Sequence, residues 1–477
     1  MHSGAIVDSL LNLPLPKNVQ LLIENDTFIK PAATRYIRNW KRTEKISLPE
    51  LDSASPEVFA DFLDWAKAES VGTHTILIIM THSWGWKGII QDYTLPDRPD
   101  EDTMMPLYRF SEAVVESSLN PDLVFLDSCV LGTAESIHEL RDLSRYLIVS
   151  QRETPYSGYP FEELFALLAT ETARPVDVAR FIPGSYVRAY SQNGKLAGKE
   201  GEFDVVTVAS INTDRWSKFA DKFSQFVATV EAVGFRKKLI DLAKWSKAFV
   251  DGDWDIDLVE LLFRLPAFAD SEEVFSSAQI LLDEIGYPEA VAMESAEAWE
   301  FRSDEVKEFE LRFKADRYML RNYSPKKVLA KLKKRWVENN QEFRSKHRKL
   351  NFTVRNREFV VSGLVPKTGI FVRPWLPGVL EVKLSVKDSS NVWKKTRYMR
   401  EKDYFSVTKF PTTSFLVAEA HTQGAPFIHG VGINLKPLMN KKEERAVDLI
   451  RGLKGSDLYR ANSWNKKTGW ADLILFK

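Results

Sequence analysis

The sequence holds a single cysteine, Cys129, in 477 residues. One thiol excludes an internal disulfide framework, a multi-cysteine zinc site and a cysteine-ligated iron–sulfur cluster. Long apolar runs are missing as well. The most apolar internal stretch, Ile76 to Met80, is far short of the roughly 20 residues that a membrane-spanning helix needs. The N-terminus, MHSGAIVDSLLNLPLPKN, has no basic leading region, and Asp8, Asn12, Pro14 and Pro16 break its apolar residues, so no secretion signal is read there. A cytoplasmic protein with no membrane partner is the expectation. Net charge is also lacking: 66 Lys plus Arg face 66 Asp plus Glu. That balance excludes a chain that is basic along its whole length and wraps nucleic acid. What is present is an ordinary folded composition, 44% hydrophobic and 28% charged, long enough for two or three domains.

Apolar and amphipathic runs alternate through the first half. Val19 to Ile23, Thr75 to Thr81, Leu123 to Leu126, Tyr146 to Ser150 and Phe203 to Ala209 read as strands. Ser55 and Pro56 open a helix through Glu69, and Met105 to Leu119, Thr133 to Leu143, Phe161 to Ala169 and Val176 to Ala189 read as helices. Repeated strand–helix units predict an α/β fold, a mostly parallel sheet flanked by helices on both faces. The unbroken run from Thr75 to Thr81 predicts a strand buried on both faces. From about residue 213 to 285 the pattern is helical. Residues 251–310 hold 18 acidic side chains against three basic ones, and residues 321–350 hold 11 basic against two acidic. From 351 to about 420, short alternating runs separated by Gly, Pro, Asp and Ser predict antiparallel β structure.

Two segments carry chemistry. TILIIMTHSWGW runs from an apolar strand directly into His82, and LVFLDSCVLG runs from another into Asp127 and Cys129. Ligands of open α/β sheets bind beyond the carboxyl ends of the strands, where both runs leave these residues. A thiol needs a base to become a nucleophile, and histidine supplies one near neutral pH. Each residue alone reads more readily as an inert core thiol or an ordinary polar histidine. Their joint placement at two strand ends is what suggests a site. No HExxH helix, Walker A loop or GxSxG elbow is present, and no metal or cofactor is expected.

The segments THSWGWKGIIQDYT and LDSCVLGTAESIHELRDLSRYLIVSQRETPYSGYPFEELFALLA resemble the core of the clostripain family of cysteine peptidases, in the caspase-like clan with gingipains, legumains and separases. NVQLLIEND and SPEVFADFLDWAKAE before them resemble further family segments. So do FDVVTVASINTDR, WDIDLVELL, GVGINLKPL and LYRANSWNKKTGWADLILF after them, in the same order. The resemblance implies a caspase-like fold and hydrolysis of peptide bonds after Arg or Lys. It makes His82 the catalytic histidine and Cys129 the nucleophile, with the oxyanion held by the backbone N–H groups of Ser83 and Cys129. It makes Asp127 an S1 acid that attracts a basic side chain; the alternative for Asp127 is a helix N-cap. Two positions depart from the family pattern. Ser83 and Trp84 stand where glycines are usual, which sets a side chain beside the substrate path. Ser157, in YSGYP, stands in the S1 pocket where an aspartate is usual, so basic specificity rests on Asp127. The rival reading is a catalytically inactive caspase-like scaffold whose inserted module binds a protein or nucleic-acid partner.

The resemblance divides the chain into a peptidase core at 1–300 and 426–477 and an inserted regulatory or target-recognition module at 301–425, made of a basic helix and a β-rich part. Lys331, Lys333, Lys334 and Arg335 in SPKKVLAKLKKRW suit a solvated face, a nucleic-acid or acidic partner, or docking on the acidic stretch that holds the protease closed until an activating protein partner binds. Docking predicts activation by salt alone; activity indifferent to ionic strength and to neutralising those four residues overturns it. The expected setting is a regulated intracellular proteolytic step, such as a bacterial stress or defence cascade. Self-cleavage at Arg98 is not expected, because Pro99 follows it and a P1′ proline resists most peptidases; a purified active enzyme beginning inside residues 88–110 would refute this. DGDWDID, with Asp251, Asp253, Asp255 and Asp257, fails the EF-hand template at Ile256 and Leu262 and reads as an acid-rich helix start. GVGINL reads as a strand, and His347, His421 and His429 have no ligand-like spacing.

Overall fold

The computed structural model describes residues 3–27, 30–94, 104–170, 172–191, 194–196, 206–237, 239, 255–265, 271–286, 299–301, 306–315, 330, 333, 351–355, 358–364, 370–372, 379–388, 393–400, 406–410, 413–421, 430–434 and 459–474. The chain divides into two compact units, 1–286 with 406–477, and 287–405.

The first unit opens with α1 (Ser3–Asn12) and a small antiparallel sheet of β1 (Leu21–Thr27), β2 (Lys30–Arg38) and β3 (Thr43–Ser47). In α2 (Pro56–Glu69), Ser55 Oγ accepts the Val58 N–H at 3.3 Å and Pro56 fills the first turn, where its missing N–H costs nothing. Phe59, Leu63 and Ala66, spaced four and three apart, bury one face of this helix. The chain continues through β4 (Ile76–Met80), the short hairpin β5 (Gly88–Gln91) and β6 (Met104–Pro106), then α3 (Leu107–Glu116), where Phe110 stacks on Phe59 at 5.0 Å. Then come β7 (Leu123–Asp127), α4 (Ala134–Leu140), β8 (Tyr146–Val149), α5 (Phe161–Leu168), α6 (Pro175–Tyr190), β9 (Thr207–Asn212), α7 (Trp216–Ala232) and β10 (Asp255–Asp257).

The second unit is antiparallel, as the alternation after residue 351 predicts. β11 (Trp299–Phe301) pairs with β15 (Ile370–Val372). β12 (Val306–Ala315), β13 (Asn351–Arg355), β14 (Glu358–Leu364), β16 (Val379–Asp388) and β17 (Trp393–Arg400) form a five-stranded sheet in the order β13-β14-β12-β16-β17. Phe309, Leu311, Phe313 and Val361 are fully buried in this unit. Of the basic cluster only Lys333 is described; its ammonium lies 4.9 Å from the Phe352 ring. Lys331, Lys334 and Arg335 lie outside the described residues.

The chain returns to the first unit with β18 (Ser406–Lys409), β19 (Leu416–His421) and β20 (Gly432–Asn434), the strand expected from GVGINL, which pairs with β10. β19 falls inside the 301–425 span expected for the insertion, yet it pairs with β9 in the central sheet of the first unit. That sheet has the order β18-β19-β9-β8-β7-β4. The α/β class stands, and the sheet is mixed. Parallel pairing joins β4, β7 and β8, where single crossover helices return the chain to the starting end of the sheet. Two helices, α5 and α6, separate β8 from β9, so β9 enters from the opposite end and runs antiparallel, as do the β9–β19 and β19–β18 pairs. All five residues of β7 are buried, whereas β4 is an edge strand on which Ile76, Ile78 and Met80 are only half-buried and line a cavity. α1, α5 and α6 supply one cluster of core residues against the sheet.

Candidate active site

The β4–β7 register pairs Met80 with Asp127. His82 and Cys129 each lie two residues beyond that pair, so neighbouring parallel strands release both at the same height. The two loops are tied together twice. Ser128 Oγ donates to the Thr81 carbonyl at 2.9 Å, and Ser83 Oγ donates to the Cys129 carbonyl. Ser83 is buried with its hydroxyl engaged in that tie, so its side chain fastens the loop that carries Cys129. Hairpin bonds run from Trp84 N–H to Gly88 and from Ile90 N–H to His82. Ser83 and Ile89 are therefore a non-hydrogen-bonded pair, and the Ser83 N–H turns away from the hairpin. Immediately after the cysteine, Val130 has φ of 49°, a left-handed conformation that costs a β-branched residue about 1–3 kcal/mol. It is fixed by Val130 N–H donating to the Arg152 carbonyl at 3.0 Å and Gly132 N–H to Ser150 at 2.7 Å.

Cys129 Sγ takes the Thr154 N–H at 3.5 Å and lies 3.9 Å from the Thr154 hydroxyl. Burial pushes the thiol up from its ordinary value, and the Thr154 N–H acts in the other direction. Burial pushes His82 down, and its Nε2 is buried with no hydrogen-bond partner among the described residues. At neutral pH the pair is thus a thiol and a neutral imidazole. The described hydrogen bonds of the sulfur go to Thr154, and none joins it to His82. Tyr93 and Tyr156 meet the imidazole edge-on at 5.9 and 6.3 Å.

Asp127 ends β7, and the helix that follows is capped six residues later by Thr133, which removes the N-cap reading. Its Oδ1 accepts the Tyr186 hydroxyl at 2.6 Å and its Oδ2 the Tyr159 N–H at 2.9 Å. Burial pushes this carboxyl up to about 6. Ser157 is half-buried in the adjoining turn. There Gly158 has φ of 62°, and a β-carbon on it would meet Met80 Cε at 2.5 Å and Asp127 Oδ2 at 3.2 Å. The Tyr190 hydroxyl donates to the Gly158 carbonyl at 2.8 Å. Sequence reasoning missed Tyr159, Tyr186 and Tyr190; the four-residue spacing of the last two on α6 was the available signal. His82, Cys129, Thr154 and Asp127 all line one cavity of about 1240 Å³.

A further support joins distant parts of this unit. Tyr459 packs its ring on Trp86, in the histidine loop, at 5.3 Å and donates its hydroxyl to the fully buried Glu135 of α4 at 2.6 Å. Tyr459→Phe removes a donor from a buried carboxylate and is expected to cost about 1–3 kcal/mol. Urea unfolding checks this, and an unchanged midpoint refutes it.

Asp255 and Asp257 lie in a short strand that leads directly into the helix Leu258–Arg264, so Asp257 stands at the helix start while Asp255 does not, and Asp257 accepts Gln151 Nε2 at 3.1 Å. Asp251, Asp253, Arg98, His347 and His429 lie outside the described residues. His421 Nδ1 lies 2.6 Å from Glu419. Among the described residues no group of His, Cys, Asp and Glu is arranged to hold a metal, and no described helix is long and apolar enough to cross a membrane.

The sequence model of the clostripain family matches residues 11–297. No curated protein sequence matches the chain. Similar solved structures include a secreted C11 cysteine protease of Bacteroides thetaiotaomicron, in complex with an irreversible peptide inhibitor. It is 17% identical with a TM-score of 0.44, and the match covers 59% of this chain and 79% of that one. An inactive zymogen C11 protease of Parabacteroides distasonis is 17% identical with a TM-score of 0.41, over 59% of this chain and 77% of that one.

Proposed function

Because the chain belongs to the clostripain family of cysteine peptidases, we propose that it cuts peptide bonds after Arg or Lys through Cys129 and His82. The observation that carries this reading is the shared height of the two residues at the ends of β4 and β7, on one cavity that also holds the buried acid Asp127. As the sulfur attacks the carbonyl carbon, the Cys129 thiol passes its proton to neutral His82. The outward N–H of Ser83 and that of Cys129 suit the oxyanion. The imidazolium then protonates the departing amine, leaving a thioester, and His82 draws a proton from the water that hydrolyses it. Asp127, ionised above about pH 6, attracts the cation of the P1 residue, whereas Ser157, expected in the S1 pocket, does not line the cavity and is left out of the P1 site.

A peptide library varied at P1 tests this. Arg and Lys peptides are expected to be cut with at least about 100-fold higher kcat/KM than Leu or Asp peptides, from pairing with a desolvated charge. Equal rates would remove the basic specificity, and hydrolysis of none would favour the inactive scaffold. Gly158→Ala is expected to lower kcat/KM on Arg peptides about tenfold. A β-carbon at that φ costs roughly 1–2 kcal/mol and sits against Asp127 and Met80. Unchanged kinetics in Gly158→Ala would detach this turn from the P1 site.

A further inference from the structure

Resting on that reading, we propose that Tyr93 and Tyr156 form an aromatic cradle that selects an apolar or aromatic side chain at P1′, the residue on the departing side of the cut bond. The two rings meet the His82 imidazole edge-on, at interplanar angles of 84° and 77°. They come from separate segments: Tyr93 follows β5, and Tyr156 lies between Thr154 at the sulfur and Gly158 at Asp127. Both hold a large apolar surface in the open, 49% and 45% exposed, and both line the cavity that contains Cys129.

The imidazole that protonates the departing nitrogen must come within about 3 Å of it. Groups packed around that imidazole therefore lie beside the side chain attached to the same nitrogen. Tyrosine rings offer that side chain stacked and edge contacts. Asp92, one residue before Tyr93, and Glu153, three residues before Tyr156, both line the cavity and disfavour an acidic residue there.

Internally quenched peptides with Arg at P1 and Phe, Leu, Gly or Asp at P1′ test the cradle. The wild-type enzyme is expected to prefer Phe to Gly by about tenfold in kcat/KM, with Asp poorest. Tyr93→Ala and Tyr156→Ala are each expected to reduce the Phe-to-Gly ratio to about threefold or less, whereas Tyr93→Phe and Tyr156→Phe retain it. A wild-type ratio near one overturns the proposal. So do alanine variants that slow all four peptides equally, because they would make the tyrosines mere supports for His82. Cleavage without P1′ discrimination leaves Cys129 and His82 in place; hydrolysis of none of the peptides removes the catalytic reading and the cradle with it.

Discussion

Cys129→Ala is expected to lower kcat/KM on Arg peptides by about 10⁴-fold or more, because loss of a covalent nucleophile leaves only the oxyanion donors and binding to accelerate the reaction. The chain has no second cysteine that could take over. His82→Ala is expected to cost nearly as much, and the double variant little more than either, since a thiol above its ordinary pKa is a poor nucleophile without a base and an imidazole without a nucleophile has nothing to activate. Folding should be nearly untouched in Cys129→Ala. The lost groups are a half-buried sulfur and its weak contacts to Thr154. Equal urea midpoints alongside lost turnover therefore assign the effect to chemistry. Alkylation by iodoacetamide gives a second readout: a single adduct on wild type and none on the variant. Retained hydrolysis in Cys129→Ala would end the assignment, and strictly additive losses for the two single variants would end the claim that they act as a unit.

The positions of His82 and Cys129 were readable because an apolar run that stops abruptly at a polar residue marks a strand's carboxyl end, and parallel neighbours bring such ends together. The direction of β9 was not readable, since it depends on how many helices lie between β8 and β9 rather than on the composition of the strand. β2 and β3 escaped notice because their polar, charged sequences, KPAATRYIR and TEKIS, lack apolar alternation. The acid two residues before the cysteine was legible as an acid. Whether it caps a helix depended on where the helix begins, and Thr133 fixes that start six residues on. Its real partners, Tyr159 and Tyr186, are 32 and 59 residues away. Tyr459 reaches Glu135 across 324 residues. Single-sequence periodicity carries no information about such pairings. The left-handed Val130 was likewise hidden, because β-branched residues rarely adopt that conformation and a loop held by Arg152 and Ser150 imposes it.

Asp127→Asn is expected to have opposite effects on stability and on catalysis. The folded carboxyl titrates near 6 against an ordinary 3.8, so the native state binds the proton more tightly than the unfolded chain. Stability from this group is then fully present below about pH 4 and is lost as pH rises through 6. A shift of about two units corresponds to about 3 kcal/mol of destabilisation at neutral pH. Asparagine carries no charge to desolvate. Its Oδ1 can accept the Tyr159 N–H while its Nδ2 donates to the Tyr186 oxygen, because a hydroxyl can serve as acceptor once it turns. The variant should therefore match wild type below pH 4 and exceed it by up to about 3 kcal/mol above pH 6, measured by urea unfolding across pH. Hydrolysis of Arg and Lys peptides should meanwhile fall about 100-fold to 1000-fold, as expected when a desolvated charge loses its partner. The acid limb of kcat/KM should also move to lower pH, because His82, itself below its ordinary value, is the remaining group that titrates there. A residue kept only for structure gives neither the gain in stability nor the loss of basic peptides. Unchanged kcat/KM together with lower stability would make Asp127 an acceptor for two tyrosines and remove it from the substrate pocket.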